Sequence, residues 1–197
     1  LEYRVCIVMP DVNRSFYMDM AHGAKYDTFI AEELPRIIEM YFPVGKKREH
    51  RFAAGLSMGG YGAFKLGLYR PNRYAAVASL SGALAQDTIF ERKANLSAGY
   101  LGEMVNIYGG EEEIRKGKGH LGRQADKLAK TPEKAPKMYM ACGTEDFLIK
   151  ANNDFYAKYG EVFDIEYHTE PGIHNWPFWN KYIEKVLAWL PLEKAEA

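Results

Sequence analysis

Apolar residues along the chain alternate between two patterns. Short apolar runs of strand length predict β-strands at residues 3–9, 51–56, 75–80, 137–142 and 163–169. Helical spacing of apolar residues, or a run of small residues after a strand, predicts helices at about 26–41, 58–69, 152–159 and 177–190. Strands that alternate with helices predict an α/β fold, with a mostly parallel sheet that helices cover on both faces.

The pattern weakens between residues 83 and 136. This stretch contains an acidic run at 111–113, a basic run at 115–118 and many glycines, and it is too long for a simple connection. It is either an insertion that partly caps an active site or a solvated helix and loop with its charges on the surface. No repeat or linker divides the chain, so we expect one domain over 1–197 with the insertion at about 83–136.

Charge and cysteine content narrow the classes of partner and compartment. The chain has 26 basic and 26 acidic residues, so we expect neither a nucleic acid nor a membrane partner. Cys6 and Cys142 lie in apolar runs, which predicts buried free thiols in a reducing compartment. We therefore expect a cytoplasmic protein, with secretion left open because the sequence begins inside an apolar run without an initiator methionine.

The segment 55–59 reads Gly-Leu-Ser-Met-Gly and joins an apolar strand to a helix. This G-x-S-x-G pattern, in that context, predicts a nucleophile on a sharp turn that lifts the Ser57 hydroxyl above the sheet. Gly55 and Gly59 would allow strand and helix to approach closely, and Gly60 and Gly62 would continue a helix face against the sheet. The Met58 N–H at the helix N-terminus would point at a developing oxyanion. Ser57 is therefore the predicted nucleophile of a serine hydrolase.

The base and the acid follow from the order in which such a triad occurs along the chain, which is Ser, acid, His. Of the five histidines, only His174 lies in a loop between the last predicted strand and the last predicted helix. The acid should follow the preceding strand, where Glu145 and Asp146 are both available. Position alone leaves the choice between these two carboxylates open, and the other one would be a solvated charge.

Three segments together resemble the esterase D-like family of α/β hydrolases. They are Gly-Leu-Ser-Met-Gly-Gly-Tyr-Gly-Ala at 55–63, Cys-Gly-Thr-Glu-Asp-Phe-Leu at 142–148 and Gly-Ile-His-Asn-Trp at 172–176. Within that family the chain is similar to the tributyrin-esterase branch, which is related to bacterial feruloyl and acetyl esterases. The resemblance implies Ser57 as nucleophile, Asp146 rather than Glu145 as acid, His174 as base and the Met58 amide in the oxyanion hole.

The same resemblance implies a cofactor-free enzyme without a metal. We expect a serine carboxylesterase that hydrolyses short-chain acyl esters through an acyl-enzyme, with acetyl or feruloyl esters of plant polysaccharide as candidate substrates. An S-formylglutathione hydrolase-type thioesterase ranks second, because those enzymes more often have His where Tyr61 stands. A binding module that keeps the hydrolase fold without turnover is the alternative from another class, and a homo-oligomer is left open.

One departure from the family concerns the start of the sheet. The family has further strands before the strand predicted at 3–9, and one of them leads into a loop that supplies a second oxyanion amide. No segment of this sequence matches it. We therefore expect an α/β-hydrolase fold that lacks its N-terminal strands.

Candidate pocket residues follow the first predicted strand and the base. Tyr17 and His22 come after the strand at 3–9, at the edge where parallel sheets bind ligands. Trp176 and Trp179 follow His174, although their spacing with Ile183 is also that of a helix packed on a core. We assign Tyr17, His22 and Trp176 to substrate binding.

Overall fold

The computed structural model describes residues 3–193, apart from the side chains of residues 87, 88, 92 and 93. Its centre is a sheet of four parallel strands in the order β1-β2-β3-β4, which are Phe52–Leu56, Ala76–Leu80, Lys137–Gly143 and Glu166–Glu170. Parallel neighbours need crossover connections, and here each connection contains at least one helix. The predicted α/β fold with a mostly parallel sheet is confirmed.

The helices occupy most of the segments between the strands. In chain order the α-helices are α1 Tyr26–Thr28, α2 Leu34–Tyr41, α3 Met58–Tyr69, α4 Ala98–Tyr108, α5 Glu111–Lys116, α6 Leu121–Leu128, α7 Ile149–Tyr159 and α8 Trp176–Trp189. A π-helical stretch, Phe29–Glu33, joins α1 to α2, so helical structure runs through the whole segment predicted at 26–41. Short 3₁₀ turns cover Arg48–His50, Gln86–Asn95 and Pro132–Lys134.

Both faces of the sheet are covered, and successive residues of a strand alternate between them. On β3, Met138 and Met140 pack with the core that contains α3, α6 and α7, whereas Tyr139 and Ala141 pack with α8. This period of two follows from the pleat of a strand, which points successive side chains to opposite faces. A strand buried on both sides reads as a continuous apolar run, which is why β2 and β3 were predictable.

The prediction of a strand at 3–9 is wrong. Residues 4–9 belong to no strand among the described residues, and their apolar side chains are exposed, Ile7 by 63% and Met9 by 89%. The Arg4 N–H donates instead to the Glu193 carbonyl. An apolar run becomes a strand only where a neighbour takes up its backbone hydrogen bonds, and composition does not reveal that neighbour. Among the described strands, β1 pairs only with β2 and forms an edge.

Residues 83–136 form several helices with a core of their own. Six buried residues of this stretch make one apolar cluster, namely Ile89, Phe90, Met104, Ile107, Tyr108 and Ile114. Phe16 and Met20 from the loop before α1 pack against the same cluster. The segment is therefore a folded layer beside that loop, with the charged runs of α5 on its outer side.

The two cysteines differ in exposure, which corrects half of the prediction. Cys142 is buried in β3, as expected, but Cys6 is exposed because residues 4–9 lie outside the sheet. Burial raises the pKa of the Cys142 thiol to about 12, so at neutral pH it stays protonated and unreactive.

We therefore expect a thiol-reactive maleimide at pH 7.5 to label the folded protein once, on Cys6, and to label both cysteines only after unfolding. Mass spectrometry of the labelled chain and of its peptides measures this. Rapid labelling of Cys142 in the folded protein would contradict its burial.

None of the helices within residues 3–193 is long and apolar enough to cross a membrane.

Candidate active site

Ser57 occupies the sharp turn between the end of β1 and the start of α3. Its backbone has φ 53° and ψ −117°, a conformation that non-glycine residues rarely adopt. The turn is held by the end of β2, because the Ser57 N–H donates to the Leu80 carbonyl at 2.9 Å. The Ser57 carbonyl in turn accepts the N–H groups of Tyr61 at 3.2 Å and Ala83 at 3.1 Å. The strained turn predicted from the sequence is present.

The glycines around Ser57 have separate roles. A Cβ on Gly55 would lie 2.4 Å from the Gly59 backbone, so the close approach of strand and helix depends on Gly55. A Cβ on Gly60 would lie 2.6 Å from the Ser79 Oγ, so Gly60 packs against the sheet. The expectation that Gly59 also allows this close approach is wrong, because a Cβ on Gly59 would meet only the Tyr17 hydroxyl, at 3.5 Å. The expectation that Gly62 faces the sheet is wrong as well, because Gly62 faces the Tyr17 ring.

This difference separates two otherwise similar substitutions. We expect Gly55→Ala to destabilise the protein by about 1–3 kcal/mol and to displace Ser57, because the added methyl meets backbone atoms. Gly59→Ala should fold normally, since it adds an ordinary contact and favours the helix by up to about 1 kcal/mol. Thermal unfolding of both variants measures the difference, and equal losses would contradict it.

The loop after β4 carries His174 to Ser57. The His174 Nε2 lies 3.0 Å from the Ser57 Oγ, and the His174 Nδ1 lies 2.8 Å from the Asp146 Oδ2. Asp146 follows β3, its side chain is fully buried, and its Oδ1 accepts the Leu148 N–H at 2.8 Å. A carboxylate only accepts hydrogen bonds, so Nδ1 carries the proton and the Nε2 lone pair faces the Ser57 hydroxyl.

Glu145 does not reach the imidazole but holds the loop that carries it. The Glu145 N–H donates to the Gly172 carbonyl at 3.0 Å, and the Gly172 N–H donates to the Glu145 Oε2 at 2.5 Å. This backbone hydrogen bond lowers the pKa of the exposed Glu145 carboxyl. Glu145, expected as a solvated charge, therefore acts as a clamp that holds the loop carrying His174. The sequence could not reveal this contact, because it depends on β3 and β4 being neighbours in the sheet.

Two aromatic rings enclose the imidazole of His174. The Phe147 ring centroid lies 4.6 Å from it, and the Trp179 ring meets it edge-on at 4.8 Å. Trp179 is fixed in turn by its Nε1–H, which donates to the buried Ser81 Oγ at 3.1 Å. Phe147 is 76% exposed. The sequence analysis did not single out Phe147, although its place directly after Asp146 was a signal.

The other predicted site residues are placed as follows. Met58 is the first residue of α3, where an N–H has no carbonyl partner within the helix. Tyr17 lies against Gly59 and Gly62 of α3, and Trp176 meets Trp179 edge-on at 5.5 Å while remaining 65% exposed.

His22 is not brought to this cluster. It lines an open cavity of about 780 Å³ with Arg14, Tyr100 and Asn106, and none of Ser57, Asp146 and His174 lines that cavity. Because residues 83–136 fold against the loop before α1, that loop carries Tyr17 toward α3 and His22 toward α4. Among residues 3–193, no group of three or more His, Cys, Asp or Glu side chains is placed to hold a metal ion.

Comparison with known proteins gives matches over nearly the whole chain. The family model named Esterase matches residues 5–190. An acetyl esterase from Caldicellulosiruptor saccharolyticus is 33% identical over 201 residues, which cover 96% of this chain and 73% of that protein.

Solved structures give the same result. Fluorophosphonate-binding serine hydrolase F from Staphylococcus aureus, solved with substrate bound, matches with a TM-score of 0.82 at 27% identity. The match covers 92% of this chain and 69% of that chain. A ferulic acid esterase has a TM-score of 0.68 at 25% identity, over 88% of this chain and 63% of its own.

The fold and these matches define the class of the protein, which is a carboxylic ester hydrolase of the serine type with the α/β-hydrolase fold. Since the family model extends over 5–190, the chain belongs to the Esterase family. The resemblance to esterase D-like hydrolases noted in the sequence is confirmed.

Proposed function

We propose that Ser57, His174 and Asp146 are the catalytic triad of this esterase. The observation that carries the proposal is the continuous chain of contacts from the Ser57 Oγ through the imidazole to a buried carboxylate. Each element has the position that nucleophilic acyl transfer needs: a hydroxyl on an exposed turn, a base within hydrogen-bond reach and an acceptor that fixes the base's tautomer.

The first half of the reaction forms an acyl-enzyme. The Ser57 Oγ attacks the ester carbonyl carbon while the His174 Nε2 takes the hydroxyl proton, and the carbonyl π electrons move to oxygen. The Met58 N–H donates to this oxyanion at the N-terminus of α3. When the tetrahedral intermediate collapses, the bond to the alcohol oxygen breaks and imidazolium at His174 protonates the leaving alcohol. Asp146 stabilises the imidazolium throughout.

The second half releases the acid. Water attacks the acyl-enzyme carbonyl while the His174 Nε2 accepts its proton, and the Ser57 oxygen leaves and regains that proton. All bonds and protons balance with water as the only co-reactant. The triad therefore accounts for every proton transfer in the hydrolysis of a small-molecule ester.

We further propose short acyl groups, acetyl to butyryl, as the substrates. The curated relative is an acetyl esterase, and two aromatic rings, those of Phe147 and Trp179, flank the His174 imidazole. Trp176 and Tyr17 are the rings that would contact an aromatic acyl group. Because one similar solved structure is a ferulic acid esterase, ferulate is a second acyl group to test.

A series of p-nitrophenyl esters tests the substrate range. We expect kcat/KM to be highest from acetyl to butyryl and to fall with longer chains, in line with the acetyl esterase relative. Methyl ferulate and S-formylglutathione complete the series as aromatic and thioester substrates. A rate that climbs steadily beyond octanoyl would contradict the short-chain proposal, and a preference for the thioester would favour a thioesterase.

Covalent labelling tests the nucleophile independently of substrate choice. We expect a fluorophosphonate to add one label per chain, on the Ser57 peptide, and we expect hydrolysis and labelling to vanish together in Ser57→Ala. A folded protein that neither hydrolyses any ester nor takes the label would be a binding module.

A further inference from the structure

A buried lysine lies on α3, the helix that begins directly after Ser57, and has no part in the triad. The Lys65 and Asp27 side chains are 1% and 2% exposed and form an ion pair. Burial lowers the pKa of Lys65, and the negative charge of Asp27 opposes that shift. A buried ion is costly and persists only with a partner, so the presence of Lys65 calls for a reason.

Neutralising Asp27 is not a sufficient reason. The Asp27 carboxylate also accepts two hydrogen bonds from Arg70, at 2.8 and 3.2 Å, and one from Lys118 at 3.1 Å. Asp27 would therefore stay paired if residue 65 were apolar. What distinguishes Lys65 from these other cations is its second contact, because the Lys65 Nζ donates to the Tyr17 carbonyl at 2.8 Å.

Tyr17 needs such a contact because its backbone is strained. Phe16 and Tyr17 have φ values of 48° and 54°, and two successive bulky residues in this region are unusual. Strained conformations persist where the surroundings over-determine them. The Tyr17 N–H donates to the Oγ of the fully buried Ser15 at 3.1 Å, and the Lys65 Nζ donates to the Tyr17 carbonyl. Both backbone polar groups of Tyr17 are therefore fixed.

The fixed backbone directs the Tyr17 side chain along one face of α3 toward the nucleophile. Gly59, Gly62 and Lys65 follow each other at intervals of three, so they lie on one side of the helix. The ring packs where a Cβ of Gly62 would be, and the hydroxyl lies beside Gly59, close to the Ser57 turn. Burial raises the pKa of the Tyr17 phenol, which therefore remains a hydrogen-bond donor at neutral pH.

We propose that Lys65 is a positioning residue for ester hydrolysis: it holds the Tyr17 main chain so that the phenol forms a fixed wall of the acyl site beside Ser57. This inference rests on the proposed esterase function. Lys65 acts through Tyr17 and touches neither substrate nor reacting atoms. Asp27 anchors the ammonium, Arg70 holds the Asp27 carboxylate in place, and Gly62 leaves room for the ring.

A matched pair of lysines provides the test. Lys65→Met removes the contact with Tyr17, whereas Lys118→Met removes a cation from the same Asp27 carboxylate without touching Tyr17. We expect Lys65→Met to lower kcat/KM for p-nitrophenyl butyrate by about 10- to 100-fold, the scale of a small misplacement of a positioning group. We expect Lys118→Met to leave it unchanged within about twofold.

A double-mutant cycle with Tyr17→Ala separates positioning from a general loss of structure. If Lys65 acts through Tyr17, Lys65→Met should change kcat/KM by less than about twofold once Tyr17 is alanine. A merely structural role would lower kcat/KM by the same factor in both backgrounds, and that result would overturn the proposal. Should Lys65→Met fail to fold, Lys65→Gln carries the same cycle with a shorter, neutral side chain.

Fluorine NMR makes the result independent of turnover. In protein labelled with 3-fluorotyrosine, the Tyr17 resonance is identified by its loss in Tyr17→Phe. We expect it to shift in Lys65→Met and to stay in place in Lys118→Met, and an unchanged resonance in Lys65→Met would refute the proposal. Absence of hydrolysis in the unsubstituted protein would instead count against the esterase proposal and would leave the NMR result standing.

Discussion

Substitution of Ser57 with alanine is expected to lower kcat for p-nitrophenyl acetate by about 10⁶, the loss typical of a triad nucleophile. His174→Ala should cost about as much, because a serine without its base cannot give up its proton. The two substitutions together should cost no more than either alone, since the groups act as one unit. Steady-state assays at high enzyme concentration, with the background rate subtracted, measure all three variants.

Ser79→Ala is the control for the Ser57 variant. Ser79 is a fully buried serine on β2, the strand next to β1, and its Oγ has no hydrogen-bond partner in the described structure. Removal of an unsatisfied hydroxyl is close to neutral for stability, so this variant should keep both fold and activity. A large loss in Ser79→Ala, or substantial activity in Ser57→Ala, would mean that the nucleophile has been misassigned.

Features that depend on local order along the chain were predictable from the sequence. The Ser57 turn, β2, β3 and α3 were each placed within a residue, because a strand buried on both faces and a helix of small residues have distinct local patterns. His174 was predicted as the base by elimination, since its place between the last strand and the last helix depends only on chain order. The contacts among Ser57, His174 and Asp146 then follow from the sheet, which brings the ends of its strands to one edge.

Features that depend on a partner distant in the chain were not predictable. Residues 4–9 have the composition of a strand, but their neighbour decides whether they form one. The clamp of Glu145 on Gly172 exists because β3 and β4 are adjacent, and the Lys65–Asp27 pair joins helices that the sequence separates. The strained backbone at Tyr17 left no signal in composition either, since neither Phe16 nor Tyr17 is a glycine.

Replacement of Asp146 with asparagine is expected to lower kcat by about 10⁴ while the protein stays folded. The reason lies in the second contact of this carboxylate. The Leu148 N–H can only donate, so the side-chain oxygen of the asparagine would remain on it and the amide NH₂ would turn toward the His174 Nδ1. The imidazole would then accept at Nδ1 and carry its proton on Nε2, where it could no longer take the Ser57 proton.

Glu145→Gln is the matched control, because it makes the same change from carboxylate to amide on the neighbouring residue. Its side-chain oxygen can still accept the Gly172 N–H, so we expect kcat to fall by less than about tenfold, as for loss of the charge from one exposed hydrogen bond. The lowered pKa of Glu145 sets the pH range in which the carboxylate clamp operates. Its contribution is present above the pKa of an unfolded glutamate and is lost as the pH falls through the lower folded value. Initial rates for Asp146→Asn and Glu145→Gln from pH 6 to 9 test which carboxylate is the acid, and circular dichroism tests whether both variants are folded. A loss in Glu145→Gln as large as in Asp146→Asn would contradict the assignment to Asp146.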